Sequence, residues 1–221
     1  MDDSIAAFHK VATLDRSTVF GATDRPPISD KGNAYTAAPG WVGERWAGDL
    51  LLIANFPGGG GDGYVGNPTD AGLYGAFRDF RNSSPGHDRH AAFSRMCRTY
   101  REAERTHNLW RNVIRPTLEA LDIGEQQAAF INLVPFRIRE NKAPRVSERL
   151  MAWNAGVSGQ VAALDPRQIV ALGVAAGEAL VRLMGHRPKI EIIPRTNGDH
   201  YLSREAQLVL ERLRADRSAK A

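Results

Sequence analysis

The chain has 221 residues, 43% of them apolar, and a formal net charge of +4 with a pI near 9.5. That length buries the core of one domain with extra segments at its ends. The longest apolar runs, such as residues 50–56, fall far short of the ~18 residues of a membrane span. The start, MDDSIAAFHK, is acidic rather than signal-like, so a cytoplasmic protein without membrane contact is expected. The single cysteine, Cys97, excludes an internal disulfide and any cysteine-built zinc cluster.

Residues 1–46 show little periodicity beyond a short helix around Ser4 to Leu14, and read as an N-terminal extension to a domain at 47–221. Residues 50–56 form an apolar run broken only at Asn55, the pattern of a parallel strand covered on both faces. The run ends in FPGGGGDGYVGNP. Glycine offsets its entropic cost where backbone must approach a ligand closely or turn with positive φ, though a flexible surface loop explains the run as well. Gly61 to Gly66 matches a dinucleotide fingerprint on paper. That fingerprint needs a helix opening on it, whereas the first clear helical pattern lies some twenty residues on, and no Gly-Lys-Ser/Thr supports a phosphate loop. No cofactor and no metal is expected.

From His87, Phe93, Met96, Cys97 and Tyr100 recur at helical spacing, predicting an amphipathic helix with its apolar stripe in the core. A second helical segment carries Leu109, Trp110, Val113 and Ile114, restarts at Pro116 and ends near Gly124. AAFINLVPFR is the next strand, broken by Asn132 and stopped at Pro135. A helix after Ser147 is expected to turn Leu150, Trp153, Val157 and Val161 inward, ending at Asp165-Pro166. QIVALG is a third strand, the segment from Ala175 to Met184 a helix and KIEIIP a fourth strand. Ser203 caps a terminal helix carrying Leu208, Leu210 and Leu213.

Strands alternating with helices predict βαβ units, a parallel sheet, and a ligand site beyond the C-terminal ends of the strands. Basic residues cluster near those exits. Nine arginines against four acids lie between Arg78 and Arg115, and five basic residues against two acids between Arg137 and Arg149. Such stretches suit a phosphate backbone or a solvated helix face alike. Asn132 is the most informative polar residue. Inside a buried strand its amide must find partners or cost roughly 1–3 kcal/mol, and it can offer a donor and an acceptor to a ligand's amide edge. A core asparagine satisfied by neighbouring backbone is the alternative.

Taken in order, LLLIANFPGG, AFINLVPFR, IVALG and KIEIIPRTNGDHYLS resemble the motifs of the uracil-DNA glycosylase superfamily, over residues 49 to 213. The resemblance implies a three-layer α/β/α sandwich around a central four-stranded parallel sheet. It also implies a monomeric, metal-free hydrolase of DNA repair. Such an enzyme binds single- or double-stranded DNA, flips out a deaminated or damaged base and cleaves its N-glycosidic bond. By the same resemblance Asn132 reads the extruded base, Pro57-Gly58 is the Pro-Gly of the first motif, and His200 to Ser203 lie in the loop that enters the minor groove and steadies the leaving base. Phe56 stands where the family carries Asp, Asn or Glu. The nearby substitutes are Asn55, on the opposite strand face, and Asp62 or Asp70 in the loop.

The expected catalytic set is therefore Asn132, His200 and Asp62. The base-binding set is Asn55, Phe56, Pro57, Gly58, Asn132 and an aromatic platform drawn from Tyr64, Tyr74, Phe77 or Phe80. Arg137, Arg139, Arg195, Thr196 and Ser203 are the expected backbone contacts. A non-catalytic module that keeps the fold and binds nucleic acid or a free base is the alternative reading.

Overall fold

The computed structural model describes the chain except residues 1, 23, 25, 28–30, 59–67, 186–189, 196–201 and 219–221. Five strands form one sheet in the order β1-β3-β2-β4-β5. They are β1 (Trp41–Val42), β2 (Leu50–Ala54), β3 (Ala128–Asn132), β4 (Ile169–Leu172) and β5 (Ile190–Ile193). β2 pairs parallel with β4, Leu51 opposite Ile169, and β4 parallel with β5, Ile169 opposite Ile190. The three inner strands are buried at every residue, which is why their sequences do not alternate. β5, at the sheet edge, is buried only at alternate residues.

The expected four-stranded sheet is thus corrected to five. The added strand, β1, lies within the residues read as an extension and is too short to carry a period. Beside it, the Gly43 N–H donates to the Ala128 carbonyl (2.9 Å) and the Arg45 N–H to the Gln126 carbonyl (2.7 Å). The partner number falls as the chain advances, so this edge runs antiparallel on a mostly parallel sheet. Gly43 permits the approach, because a Cβ there would collide with the Gln126 backbone.

The helices are α1 (Asp2–Ala12), α2 (Arg16–Phe20), α3 (Lys31–Ala34), α4 (Pro68–Arg81), α5 (His87–Glu104), α6 (Arg115–Ala120), α7 (Val146–Ala152), α8 (Ser158–Leu164), α9 (Val174–Met184) and α10 (Arg204–Ser218). α5 carries the predicted stripe, with Phe93, Met96, Cys97 and Tyr100 all buried. α4 is a correction: a helix opens at Pro68, two residues past Gly66, where none was expected. The argument against a dinucleotide loop that rested on a missing helix therefore falls, and the loop itself lies outside the described residues.

Two helical stretches contain a π-turn. At Trp110–Ile114 the Arg115 N–H reaches back five residues to the Trp110 carbonyl, and Pro116 follows in the first turn of α6, where its missing N–H is tolerated. At Trp153–Val157 the Ser158 N–H does the same to the Trp153 carbonyl. An inserted residue rotates everything before it by about 100° relative to everything after it. Hence Val157 and Val161 are buried as expected, but Leu150 is not: Ala152 faces inward and Leu150 is exposed. Leu208 of α10 is likewise exposed, while Leu210 and Leu213 are buried.

The chain forms two compact units. The first comprises Met1–Trp41, Asn55–Ala103 and Ile131–Asp165. One part of its core joins Val19, Ala37, Val134, Phe136 and Ala152, with Leu14, Phe20, Phe56 and Ile138 packed against them. Another joins Phe8, Phe80 and Phe93 through edge-on and tilted ring contacts. The second unit comprises Val42–Ala54, Glu104–Phe130 and Pro166–Ala221. There α9 packs on β4 and β5, and α10 on β5 and α6. Gly177 of α9 meets the Ile192 side chain where a Cβ would not fit. Glu191, buried in β5, is held by Arg212 of α10.

Candidate functional site

The exits of β2 and β3 both belong to the first unit. The chain leaves β2 at Asn55, whose carbonyl accepts from the Val134 N–H at 2.9 Å, so the two exit segments are tied side by side. Asn132 closes β3 and is 2% exposed. Its Nδ2 donates to the Tyr100 hydroxyl at 3.1 Å. Its Oδ1 is buried and has no hydrogen-bond partner among the described residues. A buried acceptor without a partner costs roughly 1–3 kcal/mol unless water or a ligand meets it.

Tyr100 is the inner end of an aromatic path. Its ring meets Phe77 edge-on at 5.1 Å, and Phe77 meets Tyr74 at 5.1 Å. The guanidinium of Arg137 lies over Tyr74, 4.7 Å from the ring centre, and pairs with Asp70 at 2.8 Å. Asp70 sits in the first turn of α4, so this pair ties the helix after the glycine run to the loop after β3. Arg137 is itself gripped from behind. Arg16, wholly buried, donates to the Arg137 carbonyl at 2.5 Å and the Ala34 carbonyl at 3.0 Å, and pairs with Asp24. Phe20 and Phe136 flank its guanidinium.

On the β2 side, the Asn55 Oδ1 accepts from Arg149 Nε of α7 at 3.0 Å. The segment between β3 and α7 turns sharply, with Glu140 (φ 55°) and Asn141 (φ 53°) both left-handed, an arrangement uncommon outside glycine. A Cβ at Gly58 would meet nothing within 4 Å among the described residues.

Set against the expected site, Asn132, Asn55, Pro57 and Gly58 share the first unit. Phe56 packs against the apolar cluster containing Val134 and Phe136, so the residue immediately before Pro57 is apolar. Of the candidate platform residues, Tyr74 and Phe77 lie on the path to Asn132. Phe80 instead is enclosed between Phe93 and His9, on the core side of the α4 stripe. Arg137, expected to meet a phosphate, is 4% exposed and spent on Asp70 and Tyr74. Arg139 is half-buried beside Glu140. Arg195 and Ser203 belong to the second unit. Arg195 lies against Gly173 (φ +123°), and the Ser203 hydroxyl caps α10 by accepting from the Ala206 N–H at 3.2 Å. Asp62, Tyr64, Thr196 and His200 lie outside the described residues.

Sequence reasoning missed Tyr100 as the partner of Asn132, because its helical spacing marked it only as core. Asp70 was named as a catalytic substitute, but its carboxylate is committed to Arg137. The long basic stretch also divides. Arg101 is buried 6.0 Å from the Trp41 ring centre, and Arg105 pairs with Glu125. Arg95 and Arg98 are exposed on α5.

Among the described residues no group of three or more His, Cys, Asp or Glu side chains is placed to hold a metal ion, and no helix is long and apolar enough to cross a membrane. No protein-family model and no curated protein sequence matches the chain.

Proposed function

We propose that this protein recognises an extruded nucleobase through Asn132 and cleaves its N-glycosidic bond, on a three-layer fold of the uracil-DNA glycosylase kind. The single observation that carries this reading is the unpartnered Oδ1 of Asn132, buried at the exit of a central strand. An amide so placed offers an acceptor to the N–H edge of a base while Tyr100 fixes its orientation. In the reaction the bond between sugar and base breaks and its electrons leave with the base, water adds its oxygen to the sugar carbon, and the proton that water loses ends on the base. Fixed donors and dipoles around the departing base stabilise that charge separation without a covalent intermediate. The base must first leave its stack, which the cost of unstacking limits to mismatched, damaged or single-stranded sites.

The test is strand scission by alkali after incubating the protein with single-stranded and duplex oligonucleotides containing uracil, hypoxanthine or xanthine. Cleavage that falls about tenfold or more in Asn132→Ala, as loss of one base-orienting hydrogen bond implies, supports the proposal. Cleavage by the wild type that survives the substitution removes Asn132 from the site.

A second reading is favoured by Phe56, which packs against the apolar cluster containing Val134 and Phe136 and puts an apolar side chain immediately before Pro57. On that reading the protein binds a base or nucleic acid and does not cleave it. An inactive wild type that gains base excision on Phe56→Asn or Phe56→Asp would establish it.

A further inference from the structure

α7 presents an apolar face that is exposed among the described residues of its own unit. Val146 is 65% exposed, Leu150 45% and Met151 47%, and on a helix the three fall within about 140° of one another. Isolated exposed apolar residues need no explanation, but three on a two-turn helix form a patch. The π-turn at Trp153–Val157 creates it, by turning Leu150 away from the face that Val157 buries. Cations border the patch. The Lys142 and Arg145 side chains are 75% and 84% exposed, and Arg149 extends from the same helix. Lys142 pairs with Glu140 at 2.6 Å and Arg145 approaches Glu148 at 4.0 Å. Exposed pairs of this kind are worth little, so a polyanion can displace them.

The placement of the face is fixed by Arg149, whose Nε bond to Asn55 holds α7 against the exit of β2, beside the chain that carries Asn132. An apolar ridge edged with cations is complementary to a strand of nucleic acid, whose bases are apolar on their faces and whose phosphates are anionic. We propose that the exposed face of α7 carries the strand flanking the recognised base, with Val146, Leu150 and Met151 against neighbouring bases and Lys142 and Arg145 on phosphates. This rests on the nucleobase reading above and names the surface by which the rest of the nucleic acid is held.

The experiment is fluorescence anisotropy of a labelled single strand containing one uracil, titrated at several salt concentrations. Because the substituted side chains are exposed, both variants should fold as the wild type does. Val146→Ser combined with Leu150→Gln and Met151→Gln is expected to weaken binding about tenfold or more with an unchanged salt slope. Lys142→Gln with Arg145→Gln is expected to lower the slope of log K against log salt by roughly 0.7 to 0.9 per cation removed. Wild-type affinity in both variants overturns the assignment of α7 and leaves the reading of Asn132 standing. That reading is tested separately, by whether Asn132→Ala loses the preference for the uracil strand over an unmodified one. A wild type that binds no strand overturns both. If the apolar variant binds the strand normally but loses self-association in sedimentation velocity, the face is a protein contact and the proposal fails.

Discussion

Replacing Asn132 by leucine separates a site residue from a core residue. The two amide halves do different things in the fold: Nδ2 bonds the Tyr100 hydroxyl, and Oδ1 is buried without a partner. Leucine has nearly the shape of asparagine and no polar atoms. It forfeits the Tyr100 bond, worth about 0.5–1.5 kcal/mol net, and relieves the desolvated acceptor, worth about 1–3 kcal/mol. The expected outcome is a stability unchanged or raised by about 1 kcal/mol, together with loss of base recognition. Were Oδ1 bonded within the fold, leucine would cost two bonds and strand a second partner, for a loss of about 3 kcal/mol or more. Urea unfolding followed by tryptophan fluorescence resolves these, since at about 1–3 kcal/mol per molar the midpoints would differ by a molar or more. Tyr100→Phe, alone and combined with Asn132→Leu, completes a cycle whose coupling should equal the single amide–hydroxyl bond. A leucine variant destabilised by 3 kcal/mol or more would refute the reasoning and make Asn132 a structural amide.

Asp70→Asn should destabilise the protein by about 3–5 kcal/mol, because it removes the carboxylate that pairs with the buried Arg137 guanidinium, whereas Asp70→Leu with Arg137→Met should recover most of that; chemical denaturation of the three proteins checks both. Gly43→Ala should lower stability by about 1–3 kcal/mol, read as a drop in melting temperature, since the added methyl collides with the Gln126 backbone and not with a side chain that could swing away. His9 is held below the ordinary imidazole value, first by burial and then by the Arg89 charge, against the opposing bond to the Arg81 carbonyl. The unfolded chain therefore binds the proton more readily, and the stability His9 contributes is complete above about pH 6.5 and lost as the pH falls below it. His90 is shifted upward, first by its bond to the Gly86 carbonyl and then by Asp2, so its contribution is complete below about pH 6.5 and lost as the pH rises. Unfolding free energies measured between about pH 5 and 8 for His9→Gln and His90→Gln should change slope in opposite senses.

The inner strands were legible because burial on both faces writes itself as an unbroken apolar run, and Asn132 was legible because it interrupts one. The stripe on α5 was legible for the same reason, one face of a regular period. What the sequence concealed is what depends on pairing at a distance or on a break in the period. Arg137 looked like a surface cation because its counter-ion, Asp70, lies sixty-seven residues earlier. Arg149 and Asn55 are farther apart still, and no local pattern links them. Leu150 was assigned to the core by a spacing that holds only for an uninterrupted α-helix, and the π-turn that breaks it carries no residue signature such as proline. β1 was missed because two residues cannot display a period of two.

The buried charges also explain how the loop after β3 can hold Asn132 in one orientation before any ligand arrives. An all-apolar core around Phe136 would pack as well or better, since burying ions costs several kcal/mol that their attraction only partly returns. Apolar contacts, however, tolerate sliding by a residue. A guanidinium bound to a carboxylate and two named carbonyls does not. Arg16 fixes the backbone of Arg137 through its carbonyl, and Asp70 fixes the side chain of the same residue from the opposite direction, so position 137 is held from two elements at once. Five residues earlier, Tyr100 fixes the Asn132 amide, and the Val134 N–H bonds the Asn55 carbonyl midway between them. With both ends and the middle of 132–137 restrained, the open acceptor of Asn132 would meet the base of the proposed reaction without reorganising. Such an acceptor orients a base by its N–H edge, while the negative charge that leaves with the base has to be met by donors elsewhere.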